Sequence, residues 1–91
     1  MKLEGRAAII TGAGRGLGYR ITERFLQEGA FLTVCARNEQ ELKKSMAVFQ
    51  KEERYSGRLV PVRADVASEE DAGALCRTCV QHFGKIDIVV N

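Results

Sequence analysis

Apolar positions along the chain fall into two alternating kinds of pattern. Four short runs are nearly continuous: Ala7-Ala8-Ile9-Ile10-Thr11, Phe31-Leu32-Thr33-Val34-Cys35-Ala36, Leu59-Val60-Pro61-Val62-Arg63-Ala64 and Ile86-Asp87-Ile88-Val89-Val90. The first two are rich in β-branched residues, which suits strands covered on both faces. Between the runs the apolar spacing becomes helical. Leu17, Ile21 and Phe25 stand four apart, with Gly29 as a stop. Leu42, Met46 and Phe49 recur at i, i+4, i+7 with charges on the other face. Ala72, Leu75, Cys76, Cys79, Val80 and Phe83 repeat the stripe, closed by Gly84. Two of these segments also carry start signals. Asn38 is followed three residues on by Glu41, and Ser68 by Asp71, pairs suited to free helix N–H groups and to the helix dipole.

Strand and helix alternating with short connections predict an α/β fold: a parallel sheet with helices on both faces. Right-handed crossovers and the Rossmann-type half-fold give the strand order 3-2-1-4. Pro61 tests that order. It has no N–H for a ladder and is tolerated at sheet edges, and the third strand is an edge in this arrangement.

The first strand runs into Thr11-Gly12-Ala13-Gly14-Arg15-Gly16-Leu17-Gly18 and then a helix. A dinucleotide's pyrophosphate must approach backbone N–H groups at a helix N-terminus, where side chains obstruct and the dipole favours negative charge. Gly12 is expected to make the turn, Gly16 to admit the phosphates and Gly18 to let the helix pack on the sheet. The rival phosphate loop needs Gly-Lys-Ser or Gly-Lys-Thr after its glycines, and none follows here.

T-G-x-x-x-G-x-G directly after a first strand resembles the cofactor motif of the short-chain dehydrogenases/reductases, in their compact subgroup. Asp65-Val66 resembles that family's adenine-contacting pair. Ile86 to Asn91 resembles the strand leading into its Asn-Asn-Ala-Gly motif, with Asn91 as the first Asn. The resemblance covers Gly5 to Asn91 and is nearest in style to 3-oxoacyl-carrier-protein reductases. It implies a cofactor site built from Thr11, Gly12, Arg15, Gly16, Leu17, Gly18, Arg37, Asp65, Val66 and Asn91. It also implies hydride transfer between a nicotinamide and a small-molecule carbonyl or alcohol, and a homo-oligomer.

Cofactor choice turns on the end of the second strand, roughly 20 residues after the glycine loop, where NAD-binding folds place an acid for the ribose 2′-OH. This chain has Ala36-Arg37-Asn38. An arginine there, with Arg15 in the loop, would hold a 2′-phosphate by charge-assisted bonds. The expectation is NADP(H).

The resemblance further implies that the family's Ser and Tyr-x-x-x-Lys lie beyond the Asn-Asn-Ala-Gly strand. Neither Tyr19 nor Tyr55 has a Lys four residues on, and both read as surface or partly packed residues. No catalytic residue is assigned. Residues 1–91 read as the NADP(H)-binding half of an oxidoreductase, truncated on its C-terminal side. A non-catalytic NADP(H)-binding or regulatory module is the alternative.

Composition narrows the field further. Of 91 residues, 14 are Lys or Arg and 12 Asp or Glu, and a net charge of +2 is too small for a nucleic-acid partner. No apolar run approaches a membrane span or a signal peptide. Three cysteines, an odd number, argue against a disulfide framework and for a reducing, cytoplasmic setting. Cys76, Cys79 and His82 carry metal-ligand chemistry on a predicted helix. They lack a fourth ligand, and both cysteines fall on the apolar stripe, so no metal is expected.

Overall fold

The computed structural model describes residues 1–91. Four strands, β1 (Ala7–Ile10), β2 (Phe31–Ala36), β3 (Leu59–Arg63) and β4 (Ile88–Val90), form one parallel sheet in the order β3-β2-β1-β4. Three helices connect them: α1 (Gly16–Gln27), α2 (Glu39–Gln50) and α3 (Glu69–Phe83). This is the expected topology. Pro61 sits on edge strand β3 opposite Val34.

The pleat divides the core in two. Ala8, Ile10, Leu32 and Val34 point to one face and pack with Leu26 of α1 and Leu42, Met46 and Phe49 of α2. Ala7, Ile9 and Cys35 point to the other and meet Leu75 and Cys79 of α3. Both central strands are thus covered on both sides, which is why their sequences run apolar without alternation.

The two anticipated caps form. Asn38 Oδ1 accepts the Glu41 N–H at 3.0 Å, and Ser68 Oγ accepts the Asp71 N–H at 3.2 Å.

Four expectations need correction. The buried row of α1 is Thr22 and Leu26, while Leu17 is 75% exposed and Ile21 and Phe25 only partly covered. Thr22 tolerates full burial because its hydroxyl donates to the Gly18 carbonyl at 2.8 Å. On α3, Cys79 is buried, whereas Cys76 and Val80 face solvent. Tyr55 is buried. After α2 the chain makes a 3-10 turn over Glu53–Tyr55, which tucks the ring 6.4 Å from Phe49 and beneath the guanidinium groups of Arg54 and Arg58. The fourth strand is shorter than its apolar run. Asp87 precedes it and joins β1 through both backbone and side chain: its N–H donates to the Ala7 carbonyl at 2.8 Å, and its Oδ2 accepts the Ala7 N–H at 2.9 Å.

Candidate functional site

The carboxyl ends of β1, β2 and β3 open onto a cleft of about 770 Å³, the position at which open parallel sheets hold ligands. Its first wall is the loop from Thr11 to Arg15. Gly12 and Gly16 adopt φ of 62° and 59°, the left-handed region that favours glycine, and a Cβ on either would meet nothing within 4 Å. These glycines therefore keep an open face open. Gly18 does the opposite. A Cβ there would lie 2.7 Å from the Gly12 carbonyl carbon and closer still to its oxygen, so the first turn of α1 rests directly on the loop.

The N-terminus of α1 differs chemically from the other two long helices. Arg15 occupies its N-cap position without a side-chain cap, and no acid lies in the first turn. The N–H groups of Gly16, Leu17 and Gly18 meet no acceptor within the chain. Helix α2 and helix α3, by contrast, are capped and begin with acids. Unpaired N–H groups plus the positive end of the helix dipole, bordered by glycines, form a cradle for an anion. The pyrophosphate of a dinucleotide fits that donor set.

The second wall follows β2. Arg37 is exposed and its carbonyl accepts from Arg63 Nε at 3.1 Å. Arg15, with its side chain 85% exposed, places Nε 4.0 Å from Glu41 Oε1. From α2, Ser45 Oγ donates to the Gly14 carbonyl, and Glu41 lies against the Gly14 backbone. Sequence reasoning gave Glu41 a helix-start role only and did not single out Ser45. The signal was their position, three and seven residues after the Asn38 cap, on the turns of α2 that reach the loop.

The third wall follows β3. Asp65 N–H donates to Asp71 Oδ2 at 2.9 Å, and the same oxygen pairs with Arg63 Nη1 at 3.1 Å. Asp65 Oδ1 in turn accepts the Ala67 N–H at 3.0 Å, so the residue is held in a tight turn with Val66 exposed at its crest. Cys35 lies beneath, lining the cleft yet 1% exposed. Burial pushes its thiol above the usual range, outweighing a backbone N–H from Gly12 that favours thiolate. Cys35 therefore remains a thiol at neutral pH and is a poor nucleophile.

Thr11, Gly12, Arg15, Arg37, Asp65 and Val66 thus line one cleft. Gly16 and Gly18 begin α1 at its edge, and the Leu17 side chain points to solvent. Asn91 stands at the end of β4, where the Thr11 hydroxyl lies 3.5 Å from its Oδ1 and 3.4 Å from the Val90 carbonyl. Tyr19 is outside the cleft, 5.0 Å from the Phe49 ring. No group of three His, Cys, Asp or Glu side chains converges as a metal site. His82 Nδ1 contacts the Thr78 carbonyl on its own helix.

The family model for short chain dehydrogenases matches residues 6–91. The 3beta-hydroxysteroid dehydrogenase 2 of Eggerthella lenta is 37% identical over 98% of this chain and 33% of that protein. A short-chain dehydrogenase/reductase of unknown function from Caenorhabditis elegans, solved with cofactor, superposes with a TM-score of 0.91 at 28% identity, over 98% of this chain and 33% of that one. The 3-ketoacyl-(acyl-carrier-protein) reductase of Brucella melitensis, complexed with NADH, gives 0.82 at 31% identity, over 96% and 33%. The chain spans about a third of the length of the curated relatives it matches.

Proposed function

Because the chain belongs to the short-chain dehydrogenase family, we propose that residues 1–91 form the cofactor-holding part of an NADP(H)-dependent oxidoreductase acting on a small carbonyl or alcohol. The observation that carries this reading is the open N-terminus of α1, with free N–H groups and glycines on the cleft side, facing a β2 end that offers Arg37 and no acid. The N–H groups of Gly16, Leu17 and Gly18 bind the pyrophosphate. Arg37 and Arg15 take the 2′-phosphate, Asp65 and Val66 border the adenine, and Thr11 with Asn91 fixes the β1–β4 junction on the nicotinamide side. The nicotinamide, when bound, supplies hydride chemistry at its C4. The role of these residues is to bind and orient it.

Three unpaired cysteines favour a reducing, cytoplasmic setting, and the family supports assembly as a homo-oligomer. The alternative is a non-catalytic NADP(H)-binding or regulatory module. Following NADPH absorbance with a panel of ketones, using the whole oxidoreductase of which these residues are proposed to be the cofactor-holding part, separates the two readings: turnover supports the enzyme, none the module.

The cofactor test is a pair of titrations. NADPH should bind more tightly than NADH, and Arg37→Asp should weaken NADPH by about 2–3 kcal/mol while leaving NADH unchanged or tighter, since an acid there can bond the ribose 2′-OH. Equal affinities in the unaltered protein would remove the basis for the NADP(H) assignment.

A further inference from the structure

The cleft proposed to accept a 2′-phosphate is not uniformly basic. Its charged lining is two arginines, Arg15 and Arg37, and two carboxylates, Glu41 and Asp65, so its formal charge is zero. Asp65 is occupied in its own turn through Ala67. Glu41 is not: its N–H goes to the Asn38 cap, and its carboxylate projects over Gly14 toward Arg15. The contact is 4.0 Å from Oε1 to Nε, with Glu41 only 40% exposed, and the site lies at the N-terminal turn of α2, where the dipole favours a carboxylate.

We propose that Glu41 is a specificity-determining residue that limits the preference for the 2′-phosphorylated cofactor. This deepens the NADP(H) reading above and rests on it. Its carboxylate stands beside Arg15 as a competing anion, so a 2′-phosphate shares the guanidinium's field with it and meets its repulsion besides. A cofactor without that phosphate meets neither effect. Removing the charge should therefore strengthen binding, and only for the phosphorylated ligand.

The test uses the full chain at low ionic strength, with adenosine 2′,5′-bisphosphate and AMP as probes. Glu41→Gln keeps shape and removes charge; Glu41→Lys reverses it. For the bisphosphate, affinity should rise about fivefold in Glu41→Gln and further in Glu41→Lys, with AMP unchanged within about twofold. Far-UV circular dichroism should match the unaltered protein, since the side chain makes no hydrogen bond that folding requires. An equal gain for AMP, or no gain for the bisphosphate in either variant, overturns the inference while NADP(H) preference stands. If the unaltered protein binds the bisphosphate no more tightly than AMP, the NADP(H) reading falls and takes the inference with it.

Discussion

Thr33 is fully buried on β2, on the strand face shared with Cys35, and its hydroxyl finds no hydrogen-bond partner. A hydroxyl desolvated without compensation is a cost, whereas an apolar group of the same shape is not. Thr33→Val should stabilise the fold by about 1 kcal/mol, read as a rise in melting temperature of about 4–8 °C. An unchanged or lower melting temperature would contradict this. Asp87 makes the opposite case. The Ala7 N–H and then Lys85 hold its carboxyl below its ordinary value of 3.8. A carboxylate depressed in the folded state contributes stability that is full above that ordinary value and is lost as pH falls through the lower folded one. Asp87→Asn should therefore reduce stability at neutral pH and flatten its decline between about pH 5 and pH 2, measured by urea unfolding at several pH values. Parallel curves for the two proteins would rule that role out.

At the level of elements, the glycine loop and α1 act as one unit. The loop rests on Gly18, is pinned from α2 by Ser45, and leaves the N–H groups of Gly16, Leu17 and Gly18 without an acceptor at the edge of the cleft. Gly16→Val introduces a β-branched side chain at φ 59° on that open face. Cofactor binding should be lost with helix content little changed by circular dichroism; retained binding would place the phosphates elsewhere.

The same unit shows where reading from sequence stopped. Strand order and both caps were legible, because apolar runs, Pro61 and the pairs Asn38/Glu41 and Ser68/Asp71 act locally. The buried row of α1 was not, since it is Thr22 and Leu26 and only the second is apolar. Leu17, Ile21 and Phe25 imitate a core stripe one residue out of phase. Of the cleft, Thr11, Gly12, Arg15, Arg37, Asp65 and Val66 were visible as a motif and its echoes. Glu41 and the clamp of Arg63 on the Arg37 carbonyl were not, because they depend on where α2 and β3 arrive in space.

For the whole molecule, the sheet's two edges differ. β3 carries Pro61 and a charged terminal residue, Arg63, both of which discourage further pairing. β4 is three apolar residues, bonded to β1 alone, with Val89 56% exposed. An apolar edge with unpaired backbone groups is a template for another strand. Residues 1–91 expressed alone should therefore associate, seen as a scattering mass above that of one chain that grows with concentration. Val89→Lys should shift the population toward monomer, and a concentration-independent monomer for the unaltered chain would count against this edge as the route.

The pairing of β1 with both β2 and β4 also sets the order of events in time. Its partner on one side arrives some two dozen positions later, register Ala7 to Phe31; its partner on the other comes far later in the sequence, register Ala8 to Ile88. During synthesis β1 can join β2 and β3 early, yet its other flank waits until β4 has been made. Loop-closure entropy falls most heavily on that more distant pairing. The Thr11–Asn91 corner therefore forms after β1, β2 and β3 have come together, so a nascent chain can hold the glycine loop and the start of α1 before β4 pairs.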